Sequence, residues 1–493
     1  MANVALTTER MGWPISFAVL AVAGCMTVGP DYKRPEAPVP TAWTHGDAVA
    51  TNVSPAAVSA TPDATAALSR WWSVFRDPVL SGLVERARAG NLDVRQAEAR
   101  LRQARAQRAL ALAERSPTAA ANGSASRSRG SEETGGGQTS TMYANSLDAS
   151  WEADLFGGKR RAIEAAEASL QATQEALNDV LVSLVAEVAL NYVEFRLYQT
   201  LLTITETNLA AQAETYEITR WRQQANLVTQ LDVDQARMSL EQTRAQLPAL
   251  WTGLAQAEHQ LATLLGQAPG SVKNRLGGRQ AVPVAAGEIA FGVPADLVRR
   301  RPDVRQAERK LAAETARIGV AEAERYPDLT LSGSIGFEAL TAGNLYTAGA
   351  RAAQGAVKAG WTLFDGGRIR QKVAVQTAVQ EEALGAYEAS ILTALKDVED
   401  ALVAYANEQE RRRALREAEA AGVSAFGLAR DKYASGLIDF QAVLDTQQSL
   451  LTVQDKLATS DAEVTADLVR LYKALGGGWN PQAREMEKTS EKE

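Results

Sequence analysis

Side chains capable of covalent or metal chemistry are scarce in this sequence. Its 493 residues hold two histidines, His45 and His259, and a single cysteine, Cys25. His45 falls in a proline-rich stretch and His259 in a run of helix formers, and neither has a spacing that suggests a triad or a ligand cluster. One cysteine excludes an intrachain disulfide and a cysteine metal site. The glycine pairs lack the lysine with serine or threonine of a phosphate loop. Acidic residues number 59 and are scattered as on any helical surface, so no carboxylate pair stands out. These residues support no enzyme, no cofactor and no metal site. The net charge of −7, with basic residues dispersed, also argues against nucleic acid.

Cys25 carries the one chemical signal. Arg10 precedes an apolar run from Trp13 to Ala23, which is too short to span a bilayer but suits the core of an export signal. The run ends in Val22-Ala23-Gly24-Cys25, a pattern resembling the bacterial lipoprotein processing box. Small residues there precede a thiol that takes a diacylglyceryl group, and cleavage leaves the cysteine as the acylated N-terminus. Acyl chains contribute about 0.8 kcal/mol per buried methylene, so several form a durable anchor. Met26, in place of an aspartate, favours outer-membrane sorting. No stretch reads as a membrane-spanning helix.

The elements that must position such an anchor are duplicated. Asp93-Val94-Arg95-Gln96-Ala97-Glu98 recurs as Asp303-Val304-Arg305-Gln306-Ala307-Glu308, 210 positions later. Ala113-Glu114-Arg115, Pro117, Trp151 and Leu265-Gly266 have counterparts at the same offset. Each unit begins with a helical segment, about 79–115 and 295–325, that stops before Ser116-Pro117 or Tyr326-Pro327. A β-like pair follows, then a very long helix, about 159–212 and 368–420, then a break and another helix. Helices of that length imply a bundle or coiled-coil wall.

The β segments alternate. Leu329, Leu331, Ile335 and Phe337 interleave with Thr330, Ser332, Ser334 and Gly336. Val357, Ala359, Trp361 and Leu363 interleave with Lys358, Gly360 and Thr362. Tyr143, Leu147, Trp151 and Leu155 interleave with Ser146, Asp148, Glu152 and Asp154. One face is therefore apolar and the other wet, the pattern of a membrane barrel. The stretch 126–141 reads as an exposed polar loop. Four strands cannot close a barrel, and open edges are intolerable in lipid, so the sequence predicts oligomerisation, with three copies and twelve strands the simplest answer. Asp148, Glu152 and Asp154 either line the lumen or act as strand-end charges in salt bridges.

Motifs in this order resemble the outer-membrane efflux protein family (TolC-like), in its lipoprotein branch of OprM and NodT type. They are Gly29-Pro30-Asp31-Tyr32-Lys33-Arg34-Pro35, Trp71-Trp72 with Phe75-x-Asp77-Pro78, and Asn91-Leu92-Asp93-Val94. The turns Leu155-Phe156-Gly157-Gly158 and Leu363-Phe364-Asp365-Gly366-Gly367-Arg368 complete the set. Each turn places an aromatic at the membrane interface and glycines where the strand redirects into a helix. The resemblance implies an α+β membrane protein: a homotrimer with a twelve-stranded transmembrane β-barrel, four strands per chain, above a twelve-helix periplasmic α-barrel. It implies a lipid-anchored, passive outer-membrane exit duct of a tripartite efflux system for small molecules such as drugs or toxic compounds. The implied partners are a periplasmic adaptor (membrane fusion) protein, an inner-membrane transporter of the resistance–nodulation–division type, and outer-membrane lipid.

The family closes its tunnel at a motif resembling Tyr433 to Gln448. Gln441, Asp445 and Gln448 share a helical face at i, i+4 and i+7, and threefold symmetry would gather the Asp445 carboxylates into a cation-binding ring. Relatives commonly carry leucine and arginine at the positions of Gln441 and Gln448, so an amide-based closure is implied here. Tyr433 and Asp439 join the candidate gate. Asp445 reads alternatively as a solvated surface residue and Asp439 as a helix cap. The expected segments are a signal peptide (1–24), a lipidated tether (25–70), two repeats (71–266 and 295–476) joined by a linker (267–294), and a flexible tail (477–493). Protein secretion with an ABC transporter, or a non-channel coiled-coil lipoprotein, are the competing functions.

Overall fold

The computed structural model describes residues 27–36, 39–40, 43–44, 68–285 and 298–479. Cys25, the signal segment and His45 lie outside the described residues. In chain order the elements are α1 (Pro78–Gly90), α2 (Leu92–Ala113), β1 (Thr118–Arg129), the short α3 (Glu132–Gly135), β2 (Thr139–Ala153), α4 (Gly158–Gln224), α5 (Gln230–Leu264) and the short α6 (Lys273–Leu276). Then come α7 (Pro302–Ala323), β3 (Asp328–Ala339), β4 (Arg351–Gly360), α8 (Arg368–Ala434) and α9 (Phe440–Ala474). The pairs α2 and α7, β1 and β3, α4 and α8, and α5 and α9 each start 210 positions apart and match in length.

Local chemistry explains the boundaries. The long helices α4 and α8 have 67 residues each, or about 100 Å at 1.5 Å per residue. They exceed the expected 159–212 and 368–420 because nothing in 213–224 breaks a helix; the stop comes where the backbone turns left-handed, at Asn226 (φ 57°) and Gly436 (φ 74°). There Leu227 N–H reaches Arg222 O at 2.8 Å and Leu437 N–H reaches Lys432 O at 2.9 Å, closing a Schellman cap. The next helices start on Thr229, in a capping box with Asp232, and on Asp439, which accepts from Ala442 N–H. The helix expected over 79–115 is instead broken at Asn91. Its side chain accepts from the N–H groups of Asp93 (2.8 Å) and Val94 (3.1 Å) and so starts a second helix.

The strands form one antiparallel sheet in the order β1-β2-β3-β4. Leu147 lies opposite Ala121 on one side and Ile335 on the other. The expected loop 126–141 is shorter than composition suggested: strand pairing continues through Arg129 and Thr139, and only 130–138 remain outside, including α3. β4 ends at Gly360, so Trp361 and Leu363 lie past the strand.

The chain divides into two compact units, one of 1–36, 100–173 and 306–387, the other of 37–99, 174–305 and 388–493. The first holds the sheet. In the second, Trp71 is 1% exposed, stacked on Tyr472 at 5.2 Å and edge-on to Trp72 and Phe75. One 18-residue window of α4 reaches a mean hydropathy of 1.4, contrary to the sequence reading. Half of that window is buried, with Val185, Val188 and Tyr192 in the core, so its apolarity is used against neighbouring helices. The expected tail does not begin at 477: Gly478 N–H bonds Leu68 O at 2.9 Å and Trp479 is buried. The two repeats also share a tie. Asn91 Nδ2 donates to Leu264 O, and Arg301, its counterpart, donates from Nη1 to Ala474 O, both at 2.9 Å.

Candidate functional site

On the sheet, register separates two faces. The apolar one carries Leu147, Ile335 and Val357, which are 51%, 62% and 70% exposed. The polar one brings Asn122, Ser146 and Asp148 together: Asn122 Nδ2 donates to Asp148 Oδ2 at 2.5 Å and Ser146 Oγ does so at 3.0 Å. Glu152 lies on that face and pairs with Lys159 at 3.3 Å. Asp154 fits the second of its two readings, a strand-end charge in a salt bridge: it lies just past the end of β2 and pairs with Arg160 at 3.2 Å. Its carboxylate accepts from the backbone N–H groups of Lys159 (3.1 Å) and Arg160 (3.0 Å), opening α4 as a cap favoured by the helix dipole.

The strand-to-helix turns are built alike. Trp151 Nε1 donates to Arg115 O at 2.8 Å, and Trp361 Nε1 to Arg325 O at 3.0 Å. Gly157 and Gly367 hold φ of 84° and 87°, a left-handed conformation that strains residues with a Cβ. Gly158 begins α4, and Gly366 is also left-handed. Phe156 stacks on Tyr326 at 4.7 Å, whereas Phe364 is 90% exposed. Asp365 accepts from Gly367 and Ile369 N–H groups at 2.8 and 2.7 Å, taking the capping role that Asp154 has in the first repeat.

Residues 28–34 are clasped to the first of these turns and to helices α4 and α7. Val28 N–H bonds Phe156 O at 3.1 Å. Arg161, its side chain 4% exposed, donates to Val28 O and Gly29 O at 3.0 Å each and to Asp31 at 2.8 Å. Gly29 fits against helix α7 because a Cβ there would stand 2.3 Å from Gly319 Cα. Tyr32 Oη donates to Glu308 at 3.2 Å, and Arg34 pairs with the same carboxylate at 3.0 Å. Burial, then the Glu308 charge, push the Tyr32 phenol up to about 12. The Gly29-Pro30-Asp31-Tyr32 motif was visible in the sequence; its partner Arg161 was not, because nothing local links residue 29 to residue 161.

At the helical tips, Phe440 and Val443 are buried with Ala236 and Ala429. The Tyr433 ring leans on Phe440 at 5.3 Å and lies under the Arg222 guanidinium at 4.6 Å. Gln441, Asp445 and Gln448 are exposed together on one stripe of α9, with Gln441 Nε2 donating to Asp445 at 2.8 Å. Asp439 acts as a helix cap. Along these helices, polar atoms of Tyr433, Gln212, Gln447 and Asp455 are buried without hydrogen-bond partners among the described residues; of the four, sequence reasoning had singled out Tyr433 alone. Burial raises the Asp455 carboxyl above the ordinary carboxylate range.

A four-stranded sheet with one exposed apolar face, in a chain with two helices of about 100 Å, is the set of elements a channel-forming membrane protein uses. The family profile described as outer membrane efflux protein matches residues 83–267 and 293–477, two copies 210 positions apart. Nodulation protein T of Rhizobium leguminosarum bv. trifolii is 32% identical over 484 residues, covering 95% of this chain and 97% of its own. Solvent efflux pump outer membrane protein SrpC of Pseudomonas putida is 31% identical over 468 residues, covering 94% and 97%. Among solved structures, the outer-membrane channel OprN matches with a TM-score of 0.85 at 35% identity, covering 92% of this chain and 100% of that one. The open state of the Neisseria gonorrhoeae MtrE channel matches at 0.79 and 25%, covering 92% and 99%. The chain belongs to the outer membrane efflux protein family. It is an outer-membrane efflux channel extending into the periplasm, and not an enzyme.

Proposed function

We propose that three copies of this chain close a twelve-stranded barrel continued by a twelve-helix tunnel, serving as the passive exit duct of a tripartite small-molecule efflux system. The observation that carries this is the sheet itself. Its apolar face is exposed, and within the chain its outer strands β1 and β4 each pair on one side only. In lipid an unpaired strand edge costs several kcal/mol per group, and membrane barrels need about eight strands or more, so copies must join edge to edge. Three copies give the simplest closed ring. Relatives named for solvent, toluene and antibiotic efflux support a small-molecule cargo.

Cys25, three residues before the clasped Val28, would carry the lipid anchor. Leu227 and Leu437, 69% and 73% exposed at equivalent hairpin turns, suit docking of an apolar adaptor surface, with a resistance–nodulation–division transporter beyond it. The gate is the stripe of Gln441, Asp445 and Gln448, repeated three times around the axis. The partnerless polar groups at Tyr433, Gln447 and Asp455 support a closed packing that is not the tightest available, as a movable tip requires.

The test is dye and drug accumulation in cells lacking the protein, complemented with wild type or Asp445→Ala. Wild type lowers accumulation of several unrelated compounds, and Asp445→Ala makes the outer membrane leaky to large antibiotics. Unchanged accumulation with loss of a secreted protein from the medium would replace the efflux reading by secretion.

A further inference from the structure

The apolar face of the sheet carries a feature that a plain lipid-facing wall does not need. Register sets Gly123, Asn145, Phe337 and Arg351 in one row across all four strands, and Ala121, Leu147, Ile335 and Ala353 in the next. A groove of about 810 Å³ lies over these two rows. Its floor is aliphatic. Its upper edge is Tyr346, from the β3–β4 connection, whose ring meets Phe337 edge-on at 5.5 Å and whose oxygen accepts from Asn145 Nδ2 at 2.5 Å. That leaves the phenolic hydrogen free to donate. The Arg351 side chain lines the groove, is exposed, and makes no hydrogen bond or ion pair to any described residue of the same copy. Arg127 is exposed on the same face of β1, two rows further out and likewise without a partner.

An aliphatic trough ending in a hydroxyl and an unpaired guanidinium is complementary to one chemistry, an acyl chain bearing an anionic head. Arginine's planar fork suits phosphate in particular. The position selects the source. Trp151 marks the periplasmic end of β2, and Asn145 is six residues further along, about 20 Å of strand at 3.3 Å per residue; at a tilt of about 40° that is about 15 Å of height, in the outer half of an apolar band about 25 Å tall. We propose that this groove binds a phosphorylated glycolipid of the outer leaflet, with its phosphate on Arg351 and the Tyr346 hydroxyl and an acyl chain along Leu147 and Ile335. The inference rests on the barrel reading, which makes this face the lipid-facing one.

The experiment uses full-length protein extracted from membranes. Heat-stable trimers in the outer-membrane fraction are scored first, and their absence in wild type overturns the barrel reading and this site with it. Given trimers, binding of purified diphosphorylated lipid A is compared with its dephosphorylated form and with phosphatidylglycerol by native mass spectrometry. Wild type should retain the phosphorylated glycolipid preferentially. Arg351→Ala should weaken that binding by about tenfold or more, and Tyr346→Phe by less, while binding of the dephosphorylated form stays unchanged. Ile335→Trp, which fills the trough and keeps the charge, should weaken both glycolipids. Equal binding by wild type and Arg351→Ala trimers overturns the site alone. Displacement of the glycolipid by millimolar inorganic phosphate, or equal retention of phosphatidylglycerol, overturns the assignment to a glycolipid.

Discussion

Replacing Arg161 by alanine should release the segment that follows Cys25 while leaving the rest of the chain folded. The guanidinium makes two charge-assisted bonds to backbone carbonyls, Val28 O and Gly29 O. Such bonds contribute about 1.5–3 kcal/mol each. The Asp31 pair adds little, because that carboxylate is 84% exposed and solvent screens it. The i,i+3 pair with Glu164 is worth about 0.3 kcal/mol. The local clasp therefore loses about 3–6 kcal/mol, which raises the open fraction by more than about a hundredfold. Limited trypsin digestion reads this directly, since Lys33 is exposed and its bond to Arg34 becomes cleavable once the segment lifts. With opening fast relative to cleavage, the cutting rate follows the open population. Arg161→Lys keeps the charge but not the fork and should be intermediate. Asp31→Ala should change the rate less than about threefold. A rate for Arg161→Ala within about threefold of wild type would refute the clasp.

Two further substitutions probe the same logic. Gly319→Ala should destabilise although alanine is the better helix former by about 1 kcal/mol. The new Cβ would stand 2.7 Å from Arg161 Cγ and 2.9 Å from Val28 O, an overpacking cost of about 1–3 kcal/mol that should again expose Lys33 to trypsin. Asp455→Asn should stabilise at neutral pH. Burial raises the folded-state pKa of Asp455, so the folded protein holds this proton more tightly than the unfolded chain does. Ionisation then weakens the fold as pH rises from about 4 through the raised value. The gain from asparagine, measured by thermal unfolding at a series of pH values, should be full above that window and vanish below about pH 4. An equal gain at both ends would refute the assignment.

The sequence alone determined the duplicated frame, the order of helix and strand, the alternation of the sheet and the location of the turns. These depend on local physics. Period two and helix propensity are legible in any window of ten residues, and a repeat offset needs no coordinates. The trio Gln441, Asp445 and Gln448 shares a face because a helix turns every 3.6 residues, which spacing alone reveals. Only the tertiary structure decided which polar residues are occupied. Alternation left Asp154 open between a lumen residue and a strand-end charge in a salt bridge; the structure pairs it with Arg160 and makes it a helix cap, because β2 ends one residue earlier. The stretch 126–141 looks like a loop by composition, yet strand pairing claims both its ends. The glycines at 29 and 319, the arginine at 161 and the row joining Asn145 to Arg351 depend on contacts between residues far apart in the chain. Such contacts leave no periodic trace in sequence, because each is specified by packing and pairing between elements and not within any one of them.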